Sequence, residues 1–145
     1  MRCPVRFLCV ALSLALGACS GIPLHEREQA LQQQYVDYAG APIERFNYLG
    51  RFDSWVALSD SQLVVWPTIN EAYLLTVWQP CINLQFAQRI GVSSTVGTVS
   101  TGLDYVLVEH QRCQIKEIRP VDYKRLMDDR RKAAAAAKAA KQAPQ

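Results

Sequence analysis

Large apolar side chains are distributed unevenly along this chain, and that limits what it can fold into more than any other feature. Past Met127 nothing apolar is larger than alanine and proline, and residues 1–18 read as a targeting segment. Of the 145 residues, those at about 46–122 must therefore supply nearly all of the core, close to the smallest size at which one core suffices. A large multidomain enzyme is excluded.

The leader opens with Arg2 and Arg6, continues through Phe7-Leu8-Cys9-Val10-Ala11-Leu12-Ser13-Leu14-Ala15-Leu16, and ends on Gly17 and Ala18. A basic start followed by an apolar run too short for a stable membrane span is a secretory signal. Leu16-Gly17-Ala18-Cys19 resembles the lipobox of bacterial lipoproteins, in which the cysteine thiol receives a diacylglyceryl group and the new amino terminus is acylated. More than one acyl chain makes membrane attachment durable. The resemblance implies a lipid on Cys19. With Ser20 rather than Asp after it, the expected destination is the periplasmic face of a bacterial outer membrane.

Five cysteines then divide by fate. Cys3 and Cys9 leave with the signal, Cys19 carries lipid, and Cys81 and Cys113 remain. In an oxidising compartment a solitary pair is expected to form a disulfide rather than a metal or redox site.

Residues 23–38 have good helix formers, acids in the first turn and Gly40 at the stop. Leu24, Leu31, Tyr35 and Tyr38 share one face, giving a short helix within a tether over 19–45. From Phe46 the pattern turns to strands. Trp55-Val56-Ala57-Leu58 and Leu63-Val64-Val65-Trp66 flank a polar turn and end at Pro67, predicting a hairpin. Ala72-Tyr73-Leu74-Leu75-Thr76-Val77-Trp78 predicts a central strand covered on both faces. Residues 82–91 predict a short turn or helix, and Val92 to Val99 one further strand. Tyr105 to Val108 and Cys113 to Ile118, stopped by Pro120, complete the set. The fold class expected is α+β, mainly antiparallel β. A small sheet or partial barrel over 46–122 carries one disulfide, an N-terminal helix and an Ala/Lys-rich helical tail at 123–145.

A formal net charge of +3 conceals an asymmetry: from Lys124 onward there are seven basic and two acidic residues, whereas 19–123 hold seven basic and eleven acidic. The basic tail could attract anionic lipid, cell-wall carboxylates or another envelope component, or be a solvated end. Export argues against nucleic acid as its partner.

Nothing in the motif inventory points to catalysis. His25 lies in the tether and His110 in a turn, and neither a GxSxG, an HExxH, a phosphate-cradling loop nor His/Cys metal spacing occurs. No catalytic residue, metal or cofactor is assigned. Asp53 and Asp60 read as turn residues. Asp104, beside Gly102 and Tyr105, is the best candidate for a pocket wall, with Trp55 as a possible stacking partner. Trp55, Trp66 and Trp78 are all expected in the core.

Together the lipobox, Trp55, Leu63-Val64-Val65, Ala72-Tyr73-Leu74-Leu75, Pro80-Cys81 with Leu84 and Ile90, Asp104-Tyr105-Val106, and Cys113-Gln114-Ile115 with Ile118 and Pro120 resemble an uncharacterised family of small proteobacterial lipoproteins, a domain of unknown function. The resemblance implies a two-cysteine β domain in a Gram-negative envelope and brings no site with it. The functional expectation is a non-enzymatic, membrane-anchored structural or interaction protein. The alternative is a binding module for a glycan or lipid near Asp104, with a hydrolase third.

Overall fold

Leu63-Val64-Val65-Trp66 is buried at four consecutive positions, so the strand containing it must be covered on both faces. The computed structural model, which describes residues 23–142, shows how. In chain order the elements are α1 (Leu24–Asp37), β1 (Arg45–Asn47), β2 (Ser54–Ala57), β3 (Gln62–Thr68), β4 (Glu71–Val77), a 3₁₀ turn (Leu84–Phe86), β5 (Ile90–Val92), β6 (Thr98–Ser100), β7 (Tyr105–Val108), β8 (Gln111–Val121) and α2 (Tyr123–Gln142). Six strands form an antiparallel sheet in the order β2-β3-β4-β8-β7-β5, and β1 pairs with β6 in a separate ribbon. The fold is α+β with mostly antiparallel strands, and the sheet curls into a half-barrel.

Two cores lie on opposite faces of that sheet. Inside the curl, Leu63, Val65, Leu75, Val77, Ile115 and Ile118 pack with Val106 and Val108, capped by Phe46, Tyr48 and Val99 of the ribbon and by Leu84. Outside it, Val64, Trp66, Ala72 and Leu74 are covered by Tyr35 of α1 and Leu126 of α2. Trp66 meets Tyr35 and Tyr123 edge-on, with ring centroids 5.9 and 5.4 Å away. The period-two alternation of β3 thus feeds both cores.

Two register shifts help the curl. One lies between Val65 and Thr68, where Pro67 cannot donate to the ladder, and the other between Thr76 and Val77, opposite Lys116. Neither proline ends its strand as expected: β3 continues through Pro67 to Thr68, and β8 through Pro120 to Val121. At the second, the Pro120 carbonyl accepts the Gly40 N–H at 2.7 Å and the Ile118 carbonyl accepts that of Ile43 at 2.8 Å. Residues 39–43 therefore run along the part of β8 that β7 leaves free.

Two further corrections concern the strand expected from Val92 to Val99 and the helices. That strand is split into β5 and β6 by a turn with Val96 at φ 52° and Gly97 at φ 72°, left-handed conformations no strand contains. The helix positions also differ from expectation. α1 stops at Asp37, one residue short of Tyr38, and α2 starts directly after β8 with its first turns inside the folded body, whereas the 3₁₀ turn lies within residues 82–91, where a short turn or helix is expected. Leu126 is fully buried, whereas every residue from Arg131 to Gln142 is exposed.

Candidate functional site

Asp104, the residue singled out for a ligand pocket, is buried to 3% exposure and occupied by its own chain. One carboxylate oxygen accepts the Ser93 hydroxyl at 2.7 Å, the other the Ser100 N–H at 2.8 Å, while the Ser93 hydroxyl oxygen accepts the Tyr105 N–H at 2.9 Å. The Asp104 carbonyl accepts the N–H of Ile115. This side chain ties the ends of β5 and β6 to the start of β7, in keeping with the rule that buried charge is hydrogen-bonded.

Tyr105 is half-buried beneath the Arg112 guanidinium, 4.5 Å from its ring centroid. Trp55 sits on β2, at the opposite edge of the sheet order from β7 and β5, and packs against the inner core. The structure therefore does not assemble Asp104, Tyr105 and Trp55 around one cleft.

Cys81 and Cys113 are joined in a disulfide with Cα atoms 5.6 Å apart. Cys113 lies in β8, and Cys81 follows β4 by four positions, so the bridge fastens the segment after β4 across the inner core. Gln111 fastens it a second time: its side-chain oxygen accepts the Ile82 N–H at 3.2 Å and its amide donates to the Ile82 carbonyl at 3.3 Å. Asn83 then turns through φ 66° into the 3₁₀ turn, whose Leu84 is buried.

What this double fastening presents outward is apolar. Ile82 is 59% exposed and Phe86 75% exposed, lining a cleft of about 380 Å³ with Asp60, Gln79, Pro80, Cys81 and Asn83. Gln79 also borders a second cleft of about 370 Å³, formed by Ser61, Thr76, Val77, Trp78 and Lys116. Trp78, expected in the core, is 54% exposed here. Alternation along β4 turns Val77 inward and Trp78 outward, although the Trp78 N–H still donates to Gln114 at 2.9 Å. The Lys116 ammonium lies 4.7 Å from the indole centroid.

Trp78, Ile82 and Phe86 are the exposed large apolar residues of this segment; sequence reasoning placed Trp78 in the core and passed over Ile82 and Phe86. Only the Pro80-Cys81 pair two positions after Trp78 signals that the segment leaves the sheet. The reading of Trp66 as core is correct, and Trp55 is half-buried.

On the far side of the molecule the two helices are joined by polar contacts. The Tyr38 hydroxyl donates to Asp129 at 2.8 Å and Arg130 donates to Gln34 at 2.6 Å. The hydrogen bond to Asp129 raises the Tyr38 phenol above its ordinary pKa, and the same bond holds the Asp129 carboxyl below the usual carboxylate range. His110 is exposed in the two-residue turn between β7 and β8, and His25 lies 2.9 Å from the Gln29 amide.

Among the described residues no group of three or more His, Cys, Asp or Glu is placed to hold a metal ion, and no helix is long and apolar enough to cross a membrane. Cys19 and the leader lie outside the described residues.

Fold and surface together define a disulfide-stapled α+β half-barrel with an apolar pole. Residues 2–143 match a family of unknown function (DUF6491), and the chain belongs to that family. No curated protein and no solved structure matches the chain.

Proposed function

We propose that the chain is a lipoprotein of the bacterial envelope, held by acyl groups on Cys19 at the periplasmic face of the outer membrane, with a non-enzymatic structural or protein-interaction role. The observation that carries this reading is the Leu16-Gly17-Ala18-Cys19 tetrapeptide closing a basic, apolar leader. The Cys81–Cys113 disulfide supports it, because a lone structural bridge belongs to an oxidising compartment. The basic half of α2, with Arg131, Lys132, Lys138 and Lys141 all exposed, suits an anionic lipid or cell-wall surface.

The binding-module alternative loses ground because both carboxylate oxygens of Asp104 are already taken by Ser93 and Ser100. Fractionation of cells expressing the full chain tests the main reading. The wild type is expected with outer membranes and Cys19→Ser is expected to leave them; equal partition of the two chains contradicts the proposal. Crosslinking in cells then identifies the interaction partner. Deleting residues 133–145 is expected to weaken co-sedimentation with anionic vesicles at low salt and to change nothing at high salt.

A further inference from the structure

The geometry points to the Trp78, Ile82 and Phe86 surface as a membrane-contact face, on which the domain rests against the phospholipid headgroup layer. This inference rests on the lipidation of Cys19 proposed above and adds an orientation to it.

Three observations converge on one pole of the half-barrel. First, α1 runs parallel to β3: Gln32 donates to Gln62 at 2.7 Å at the start of the strand, and Tyr35 meets Trp66 near its end. The start of α1 therefore lies at the pole where β3 begins and β4 ends. Gln62 bonds Thr76 there at 3.4 Å, and Thr76 lines the cleft of Trp78 and Lys116.

Second, four chain steps separate Cys19 from Pro23, a reach of at most about 14 Å even when fully extended. An acylated Cys19 leaves no room for a long stalk and brings this pole toward the bilayer. Third, the exposed residues at this pole suit an interface. Trp78 and Phe86 are aromatic, Ile82 is aliphatic, and Lys116 can cover the indole with its stem while its ammonium meets phosphate.

α2 adds charge of the matching sign. It begins at the far pole, after β8, and its contacts from Tyr38–Asp129 to Gln34–Arg130 show that it runs back antiparallel to α1. Lys138 and Lys141 thus sit on the half of α2 that heads toward the Trp78 pole. The opposite pole also exposes Leu49 and Ile69, around a separate cleft, and in this orientation they face away from the membrane.

Quenching of tryptophan fluorescence by bromine-labelled acyl chains tests this on the full mature lipoprotein reconstituted in phosphatidylethanolamine and phosphatidylglycerol vesicles. The wild type is expected to be quenched, Trp78→Phe to lose the quenching, and Ile82→Asp with Phe86→Asp to weaken it. Ile69→Asp at the far pole should leave it unchanged. Circular dichroism identical to wild type certifies folding, since all four positions are exposed. Acylated, folded protein whose Trp78 is not quenched overturns the orientation while the anchor stands, as does a photo-crosslinker at position 82 that captures a protein instead of lipid. An intact mass without acyl groups removes the anchor and the orientation together.

Discussion

A buried carboxylate that receives two hydrogen bonds from its own chain is a fastener, and Asp104 should behave as one. Asp104→Ala leaves the Ser100 N–H and the Ser93 hydroxyl without their acceptor, at a cost of about 3 kcal/mol, while Asp104→Asn keeps one acceptor and costs about half as much. Urea titration of the three proteins reads this directly. A ligand-binding aspartate would instead lose affinity with little change in midpoint. The same scale governs the Tyr38–Asp129 bond, whose two pKa shifts have opposite signs. Asp129 is depressed, so its contribution is present above the ordinary carboxylate range and is lost as pH falls through its folded value. Tyr38 is raised, so its contribution is present below the ordinary phenol value and fades as pH rises through its folded one. The expectation is that Tyr38→Phe returns Asp129 toward ordinary titration in a carboxyl NMR experiment. An unchanged Asp129 curve would mean that another group holds it.

Among the elements, the disulfide and α2 make separable contributions. Cys81 and Cys113 lie 32 positions apart, and closing such a loop destabilises the unfolded chain by about 3 to 4 kcal/mol in the chain-entropy account. Cys81→Ser should lower the melting temperature and release one thiol to alkylation under denaturing, non-reducing conditions; two labelled thiols in the wild type would show that the bridge does not form. α2 divides at about Arg130. Leu126→Ala opens a cavity in the outer core and is expected to cost about 2 to 5 kcal/mol, whereas deletion of 133–145 should shift stability by less than about 0.5 kcal/mol. Thermal unfolding of the two variants side by side distinguishes a docked helix with a free extension from one that is docked throughout.

Much of this was written plainly in the chain. The β2–β3 hairpin and the two-faced burial of β4 follow from local patterning, the pairing of the last two sulfurs from the expectation of export, and all three are present. What escaped was set by tertiary context. Pro67 and Pro120 look like strand stops because they lack a donor, yet a register shift at the first and a carbonyl partner in Gly40 at the second let both strands run on. Trp78 looks like core because it ends an apolar run, and only the strand's alternation turns it outward. Asp104 was legible as special, but its internal partners lie four and eleven positions away in sequence and depend on strands that local pattern merged into one.

At the scale of the whole molecule, the proposed function makes a half-barrel with helices on its outer face and an apolar pole beside the start of α1 into an envelope protein through one covalent event at Cys19. Mass spectrometry of the amino-terminal peptide from native, membrane-purified protein tests that event most directly. The account predicts a chain beginning at Cys19 and carrying a diacylglyceryl thioether with an acylated amino group. A peptide that begins at Met1, or at Cys19 with an unmodified thiol, contradicts it.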